Sequence, residues 1–410
     1  MSKEIHARRE ILLSLRLTNF CTRKIGLSFI DEELKSFAKR FQLNFLFVIS
    51  ALSIGLLVVG EILEVIYKLN SSSSVEVFVS KLHIVGYGIM SSGKFLTLWH
   101  KQATFRSLLT ELAELWPVEE KDEDAVRIKR QKLARLRVVQ FCYALWNIMG
   151  VIHYNSTPVV LYYYNQYRGE PAPLGFIWEV WYPFDKTKPV CKLFALTFEV
   201  FAGVVGVWSM LGSDIIFMTM SSHISMLLEL LQLKIRRLGL TKTFSSSQNT
   251  QIDCYNEIKN IIKIHQRLIS YGNALEDTFS VVNLINVLLS SINICCVAFN
   301  ILLEPLVEMS NKLFLGAALT QVGILCWYAD EITTASTGIG HAAYQCGWFH
   351  TTVKCRRALL VLLQRSQKPL HFTAYKFSAI TMSTYSSVSF FLNTIVFYMF
   401  KTSKHYKMEE

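Results

Sequence analysis

Uncharged, largely apolar residues are concentrated in seven stretches of this chain, and charged residues lie mostly between them. A bilayer-spanning α-helix needs about 20 predominantly apolar residues. The pattern therefore predicts an all-α integral membrane protein with seven transmembrane helices. The second has the weakest pattern, because Lys81 and Lys94 bracket its apolar centre. The seven spans run over residues 41–60, about 75–98, 138–167, 193–220, 278–303, 313–329 and 377–400.

The composition agrees with a membrane protein and narrows the function. Hydrophobic residues make up 51% of the chain and charged residues 18%, whereas soluble domains carry about 25% charged residues. The N-terminal segment is basic and amphipathic without a continuous apolar core, so we expect no cleavable signal peptide. The net charge of +11 comes from basic segments between apolar spans and forms no nucleic-acid motif, so no nucleic-acid partner is expected.

Lysine and arginine set the orientation of the predicted spans. Alternate connecting segments carry 31 of these residues on one side and nine on the other. Basic loops stay in the cytosol, so the N-terminus is predicted to be cytosolic and the C-terminus extracellular. Two sequons, at Asn70 and Asn155, fall on the outer side and are glycosylation candidates. G-protein-coupled receptors place the N-terminus outside, so this orientation argues against that class.

The sequence suggests no enzyme, metal or cofactor site. None of the nine cysteines forms a CxxC pair, and no histidine–cysteine spacing suits zinc. Asp330 and Glu331 are adjacent carboxylates, but neighbours on a helix point apart. We expect them to cap a helix or pair at the cytosolic end of span six. A glycine-rich phosphate loop and a nucleophile elbow are also missing, so neither catalysis nor a cofactor is expected.

The predicted cytosolic segments are helical in pattern. Apolar residues follow helical spacing over 105–115 and 227–235, and a further pattern runs over 252–279 directly into span five. Spans four, five and six are therefore predicted to extend into the cytosol as long helices. Such extensions pack into a bundle or a subunit interface; a solvated amphipathic linker is the alternative.

Span seven differs from the others in its many hydroxyl and amide side chains. A helix that faces lipid on all sides gains nothing from such groups, so they indicate contact with other helices or with a water-filled pore. Near its outer end, Thr394, Phe397, Tyr398 and Lys401 follow i, i+3, i+4, i+7 spacing and share one stripe. We predict that this stripe lines a pore that is narrowest near Phe397 or Tyr398; packing within the subunit is the alternative.

Three blocks of the sequence, in order, resemble the insect odorant receptor family. The first is the outer loop 173–185, which ends in WYPFD. The second, 264–295, contains IHQ and LEDTFS at the entry to span five. The third and most specific, 326–348, reads C-x-x-x-D-E-I-x-x-x-S followed by A-x-Y-x-x-x-W. The length and the inverted seven-span topology match the family along nearly the whole chain.

This resemblance implies a subunit of a tetrameric, ligand-gated, non-selective cation channel in the plasma membrane of a sensory neuron dendrite. In the family, a tuning subunit binds a small volatile odorant and assembles with a shared co-receptor. The compact loop between spans four and five is typical of a tuning subunit. The implied partners are the odorant, the co-receptor, membrane lipid and permeating cations. The implied parts are the six membrane helices with the pocket (1–330), a cytosolic anchor (331–376), the pore helix (377–400) and an extracellular tail (401–410).

The resemblance also places the odorant pocket at the outer ends of spans two, three, four and six. A small apolar odorant needs a cavity lined by aromatic and aliphatic groups with one or two polar ones. His153 and Gln321 stand out because polar groups at membrane depth are costly. An interhelical hydrogen bond is their alternative role, and ordinary packing is the alternative for the aromatic residues. The ligand-binding candidates are His83, Tyr87, Trp146, Met149, His153, Phe198, Phe201, Val205, Ala318 and Gln321.

Two other functions compete with an odorant-gated channel. A gustatory-type chemoreceptor channel would share the topology, but the WYPFD block and the 326–348 block favour the odorant branch. A membrane transporter would favour internal repeats with helices broken at matching places, and the sequence shows no such symmetry. Odorant-evoked current in cells that also express the co-receptor would support the channel, whereas saturable uptake without current would support the transporter.

Overall fold

The computed structural model of the chain describes residues 9–29, 37–71, 75–117, 122–170, 172–178, 180–238, 248–303 and 309–387. These residues are predominantly helical, as the sequence predicts. The elements, numbered in chain order, are α1 (Arg16–Lys24), α2 (Phe37–Ser71), α3 (Val75–His100), α4 (Gln102–Leu115), α5 (Glu123–Tyr167), α6 (Pro189–Arg237), α7 (Gln248–Leu303), α8 (Met309–Gln345), a 3-10 turn (Trp348–His350), α9 (Val353–Ser366), β1 (Thr373–Ala374) and β2 (Ser378–Ala379). Helical residues also occur at 9–14 and 382–387.

Local sequence signals mark where several helices begin. The Asp122 carboxylate accepts a hydrogen bond from the Asp124 backbone N–H at 3.0 Å and caps α5. The Thr352 hydroxyl accepts one from the Cys355 N–H and caps α9. Pro189 occupies the first position of α6, where the missing N–H of proline removes no helical hydrogen bond.

α6 is the central helix of the molecule. It packs along α8, α5, α1, α3, α7 and α2. Every residue from 209 to 228 is buried except Asp214, and a helix buried on all faces must be surrounded by other helices. Small residues permit the close crossings: a Cβ added at Gly212 would lie 3.0 Å from the Thr22 side chain of α1.

Four described helices are long and apolar enough to cross a bilayer, and they run over Phe37–Asn70, Pro189–Arg237, Cys254–Ile301 and Met309–Gln345. They coincide with predicted spans one, four, five and six. Spans two and three are covered by α3 and α5. Most of span seven lies outside the described residues, so the count of seven spans stays a prediction.

The outward face of α2 is strongly apolar. Phe41, Phe45, Leu52 and Leu56 recur at helical spacing and are each 60–65% exposed. An apolar surface of this extent marks contact with a membrane or with another protein. The stripe therefore agrees with the assignment of α2 as a span.

The predicted long helices are confirmed as continuous elements. α6, α7 and α8 contain 49, 56 and 37 residues. At 1.5 Å per residue, α7 is about 84 Å long, whereas the hydrocarbon core of a bilayer is about 30 Å thick. The helices must project well beyond a membrane; that this side is cytosolic stays a prediction from the charge pattern.

The projecting ends pack against one another. Phe105, Leu108 and Leu112 of α4 are buried, and the Phe105 ring lies 5.4 Å from that of Phe279 in α7. The helical pattern over 105–115 therefore belongs to a packed bundle, not to a solvated linker. We call these packed ends of α4 to α9 the inner bundle.

A hairpin closes the inner bundle shortly before the last helix. β1 and β2 pair antiparallel, and Tyr375 and Lys376 adopt the left-handed backbone conformation in the turn between them. Two consecutive residues with positive φ produce a tight hairpin turn. The Tyr375 N–H donates to the Ser280 carbonyl of α7 at 3.2 Å, and the Phe372 ring lies 5.2 Å from Phe217 of α6.

Two histidines are buried in the inner part of the molecule. Burial lowers the pKa of His223 to about 3, and the Ser14 hydroxyl lies 2.8 Å from its Nε2 atom. Burial, together with the positive charge of Arg365, lowers the pKa of His265 to about 4. Both imidazoles are therefore neutral at pH 7.

Candidate functional site

A cavity of about 230 Å³ lies between α3, α5, α6, α7 and α8, beside the loop that joins α5 to α6. Its walls are mainly aromatic and aliphatic, which suits a small organic ligand. It is lined by Tyr87, Met90, Trp146, Asn147, Met149, Gly150, Val151, His153, Tyr154, Asn155, Trp178, Gly203, Val207, Met210, Ser290, Asn293, Leu313, Phe314, Ala317, Ala318 and Gln321.

Ring contacts give the cavity a defined shape. Trp178 stacks almost parallel to Tyr154, with ring centroids 5.4 Å apart. Tyr87 meets Phe314 edge to face at 5.8 Å. Such pairs restrict side-chain motion and add to the free energy gained by burial alone. The cavity therefore has walls that are largely preformed.

Glu199 of α6 holds the α5–α6 loop against the cavity. Its buried carboxylate accepts hydrogen bonds from the backbone N–H groups of Ile177 and Trp178, at 2.8 and 3.2 Å. The Trp178 indole N–H donates to the Glu199 backbone carbonyl at 3.2 Å. A carboxylate with several donors is a strong acceptor. The carboxylate thus fixes the position of the Trp178 ring in the cavity wall.

Tyr182 completes this connection from the WYPFD block. Its hydroxyl donates to the Glu199 carboxylate at 3.1 Å. Burial and the neighbouring negative charge hold the pKa of Tyr182 well above its ordinary value, so the hydroxyl keeps the proton that it donates. The next residue back, Trp181, donates its backbone N–H to the Gly60 carbonyl at 3.1 Å. The loop is therefore attached to both α6 and α2.

Gly203 leaves room for the Trp178 ring. A Cβ added at Gly203 would lie 2.9–3.2 Å from three atoms of that ring. Carbon atoms pack comfortably at about 3.5–4.0 Å. A larger residue at position 203 must therefore displace the tryptophan.

A charged network lies beside the cavity within the predicted spans. The Lys94 ammonium is fully buried and lies 2.6 Å from the Asp214 carboxylate. Asp214 also accepts hydrogen bonds from the Tyr143 hydroxyl at 2.7 Å and from the Gln321 amide at 3.0 Å. Charged groups at membrane depth require such partners. Because Gln321 lines the cavity, this network connects the cavity wall to α3, α5 and α6.

Further polar side chains line the cavity, among them His153, Asn155 and Asn293. His153 Nε2 lies 3.1 Å from the Ser310 hydroxyl. The side-chain oxygen of Asn155 and both side-chain amide atoms of Asn293 are buried without a hydrogen-bond partner among the described residues. A buried amide without a partner is costly. Asn293 and Asn155 thus bring unpartnered polar atoms to the cavity wall.

Six of the ten predicted ligand-binding residues line this cavity: Tyr87, Trp146, Met149, His153, Ala318 and Gln321. The other four lie outside its lining. The centroid of the His83 ring lies 5.4 Å from that of the Phe314 ring. Phe198 packs towards Tyr182 at 6.4 Å, Phe201 is 37% exposed, and Val205 is in the apolar core at 3% exposure. The helical rotation of α6 instead directs Gly203, Val207 and Met210 into the cavity.

Sequence reasoning did not select Trp178 or Asn293. Trp178 lies in a loop, where periodicity gives no information about its direction, although it belongs to the block that resembles the family. Asn293 lies on span five, which was not assigned to the pocket. Its signal was present as a polar residue at membrane depth, the same criterion that singled out His153 and Gln321.

The sequons and the pore stripe differ in where the structure places them. Asn70 is exposed at the C-terminal end of α2. Asn155 lines the cavity. The stripe of Thr394, Phe397, Tyr398 and Lys401 lies outside the described residues.

Glu331 pairs with Lys132 and Arg135, as expected for a carboxylate that pairs at the end of span six.

Comparison with known proteins identifies the family. The family model described as 7tm Odorant receptor matches residues 74–391. The chain belongs to the odorant receptor family. Odorant receptor 85c of Drosophila melanogaster is similar, at 23% identity over 345 residues, covering 83% of this chain and 86% of that protein. Odorant receptor 13a of the same species is 22% identical over 343 residues, covering 78% and 79%.

Solved structures of the family share the fold of this odorant receptor. The olfactory receptor OR5 from Machilis hrabei, in complex with eugenol, aligns with a TM-score of 0.81 over 97% of this chain and 99% of the other. A second structure of the same Machilis hrabei receptor aligns with a TM-score of 0.79. Sequence identity is 16% and 17%, so the likeness concerns the fold and not the residues of the pocket.

Proposed function

We propose that this odorant receptor is a tuning subunit that binds a small volatile odorant and opens a non-selective cation channel together with a co-receptor. The observation that carries the proposal is the aromatic cavity between five helices, with Trp178 fixed in its wall by Glu199. Preformed apolar cavities with few polar groups are typical ligand sites. The complex of the Machilis receptor with eugenol supports a small organic ligand.

The proposed assembly is a heterotetramer in the plasma membrane of a sensory neuron dendrite. Each subunit crosses the membrane seven times, with a cytosolic N-terminus and an extracellular C-terminus. The last helix, predicted over 377–400 but helical only from residue 382 in the described part of the chain, lines the pore, with Thr394, Phe397, Tyr398 and Lys401 on its inner stripe. Residues 331–376 anchor the subunits on the cytosolic side. The charge asymmetry of the connecting segments supports this orientation.

Ligand binding opens the pore if the ligand binds the open form more tightly than the closed form. α8 connects the cavity to the last helix. Ala318 and Gln321 line the cavity, and two residues beyond Gln321 a Cβ added at Gly323 would touch the Tyr385 ring at 3.5 Å. Tyr385 lies in the helical run 382–387, which is within predicted span seven. A displacement of α8 by the ligand would thus reach the pore helix directly.

Filling the cavity tests the proposal. Gly150 lines the cavity, and an added Cβ there meets no described atom within 4 Å. Gly150→Leu would therefore add bulk at the cavity wall, at a position with room for its Cβ. Gly55 is a matched control, because its Cβ position is equally open but lies on the exposed side of α2.

Currents are recorded from cells that express the receptor with its co-receptor while an odorant panel is applied. We expect Gly150→Leu to abolish or re-order the responses and Gly55→Leu to leave them unchanged, at equal surface expression. Unchanged responses in Gly150→Leu, or saturable odorant uptake without current, would contradict the proposed function.

A further inference from the structure

The side chain of Asn293 is an unused hydrogen-bonding group in the cavity wall. Asn293 is 1% exposed, lines the cavity, and has no hydrogen-bond partner for its Nδ2 or Oδ1 atom among the described residues. Its amide rests against Gly86 of α3, where an added Cβ would collide with it. The amide group therefore has a fixed place at the edge of the cavity.

The position of Asn293 distinguishes it from similar residues on the same helix. Asn283, Asn286 and Ser290 are also buried on α7 at helical spacing. Ser290 lines the cavity, but its hydroxyl is 3.8 Å from the Met90 sulfur. Asn283 and Asn286 do not line the cavity. Among these asparagines, Asn293 is the one that lines the cavity.

The cavity wall carries no charged side chain in the described part of the chain. None of its lining residues is Asp, Glu, Lys or Arg. The Asp214 carboxylate bonds with the Gln321 amide and is already paired with Lys94. An ammonium or carboxylate ligand would lose its hydration without gaining a charged partner. The cavity therefore favours neutral molecules.

A free amide offers one kind of donor and one kind of acceptor. A hydroxyl group can satisfy both, because it donates to Oδ1 and accepts from Nδ2. A carbonyl group can only accept and leaves Oδ1 without a partner. A hydrocarbon leaves both atoms unpaired. The cost of an unpaired buried polar group therefore ranks ligands of one carbon skeleton by their polar group.

We propose that Asn293 selects neutral odorants that carry a hydroxyl group on a compact apolar body, with carbonyl analogues weaker and hydrocarbon analogues weaker still. The inference rests on the proposed odorant-gated function and specifies its ligand class. The aromatic walls formed by Tyr87, Tyr154, Trp178 and Phe314 hold the apolar body, and the Asn293 amide bonds with the hydroxyl.

The test uses matched series on two skeletons and the full receptor with its co-receptor. The phenylethyl series is 2-phenylethanol, phenylacetaldehyde, ethylbenzene, 2-phenylethylamine and phenylacetate; the octyl series is 1-octanol, octanal, octane, octylamine and octanoate. We expect the alcohol to be the most potent member of each active series, about tenfold better than the hydrocarbon, and the ions to be inactive. A hydrocarbon, carbonyl compound or ion as the most potent member would overturn the inference.

Variants distinguish a specific role of the Asn293 amide from a general effect of removing a buried polar group. Asn293→Leu should remove the preference for alcohol over hydrocarbon by lowering alcohol potency about tenfold, whereas Asn293→Ser should keep part of it. Asn283→Leu is the matched control: both of its amide atoms lack a partner, but it lies ten residues, or about 15 Å, along the helix. It should leave the preference unchanged.

The outcomes distinguish the two proposals. Equal loss for alcohol and hydrocarbon in Asn293→Leu, or an equal change in Asn283→Leu, would overturn the role of Asn293 alone. If Asn293→Leu does not reach the cell surface, the wild-type series still decides the ligand class. Silence of wild-type receptor to both series and to a broad odorant panel, with both subunits at the surface, would count against the proposed function itself.

Discussion

The ion pairs that join helices in the inner bundle differ from two amide side chains in the cavity wall. In the inner bundle, Lys132 of α5 lies 2.5 Å from both Glu229 of α6 and Glu331 of α8. Gln232 donates to the Ala335 carbonyl at 2.7 Å. In the cavity wall, Asn155 and Asn293 have side-chain atoms that find no partner among the described residues.

This difference indicates that the same long helices are held together at one end and bind a ligand at the other. α6 and α8 contribute to both regions. Paired charges across three helices fix their relative positions at the inner end. In the cavity wall, Asn155 and Asn293 have atoms without a partner among the described residues, which leaves hydrogen-bonding capacity for a ligand. Changes in the inner bundle should therefore affect assembly, and changes at the cavity should affect ligand preference.

The largest expected effect comes from Glu331→Ala. It removes the carboxylate that Lys132 and Arg135 share, at a site where the Lys132 and Glu331 side chains are largely buried, at a cost of roughly 3 kcal/mol. We expect a lower yield of assembled complex in detergent, measured by size-exclusion chromatography, with an unchanged rank order of odorants. Glu114→Ala is the control, because Glu114 pairs at 2.7 Å with Arg267 on the surface, where a pair is worth about 0–1 kcal/mol. Equal losses in both variants would refute the distinction.

Glu199→Ala should have the next largest effect, on the cavity side. It leaves the N–H groups of Ile177 and Trp178 and the Tyr182 hydroxyl without their acceptor. The Trp178 ring then loses its fixed position, and odorant potency should fall about 30-fold. Glu199→Gln keeps one acceptor oxygen, so its odorant potency should lie between that of wild type and that of Glu199→Ala. Dose–response curves identical to wild type would show that the loop does not shape the cavity.

Gly203→Ala should act more selectively. The added Cβ displaces the Trp178 ring, so we expect potency changes of about tenfold whose direction depends on odorant shape. Gly206→Ala is the control one turn away, because its Cβ would meet Ser91 at an ordinary 3.5 Å. The same odorant panel measures both. A uniform change for every odorant, or equal changes in both variants, would argue against a direct role of Trp178.

The smallest expected effect is the pH dependence of the inner bundle. Because the pKa of His265 is lowered to about 4 from an ordinary value of about 6.5, the unfolded chain binds the proton more readily. The stabilisation from neutral His265 is complete above pH 6.5 and is lost as the pH falls towards 4. We expect His265 to account for a loss of roughly 1 kcal/mol at pH 6, measured as a lower Tm.

His265→Leu should flatten this dependence, while His341→Leu, at an exposed position of α8, should leave it intact. Part of the pH dependence of stability should remain in His265→Leu, because burial lowers the pKa of His223 to about 3 as well. A pH dependence that is the same in wild type and His265→Leu would contradict the assignment.

The sequence by itself determined the helices, the apolar spans and the family. Helix periodicity and apolar length depend on residues that are close in sequence, so α2, α6, α7 and α8 could be predicted from composition and spacing. The three family blocks are also local patterns. Polar residues within apolar runs, such as Gln321, marked several positions that line the cavity.

The tertiary structure alone decided which of these residues meet. Lys94 and Asp214 are 120 positions apart, and their pairing depends on how far α3 and α6 are rotated and shifted against each other. The same rotation turns Gly203 and Met210 into the cavity and Val205 into the core. Trp178 lines the cavity because Glu199 holds its loop in place. The loop has no helical periodicity from which the direction of this side chain could be predicted. A helical pattern shows which face is apolar; the packing of whole helices decides which partner that face receives.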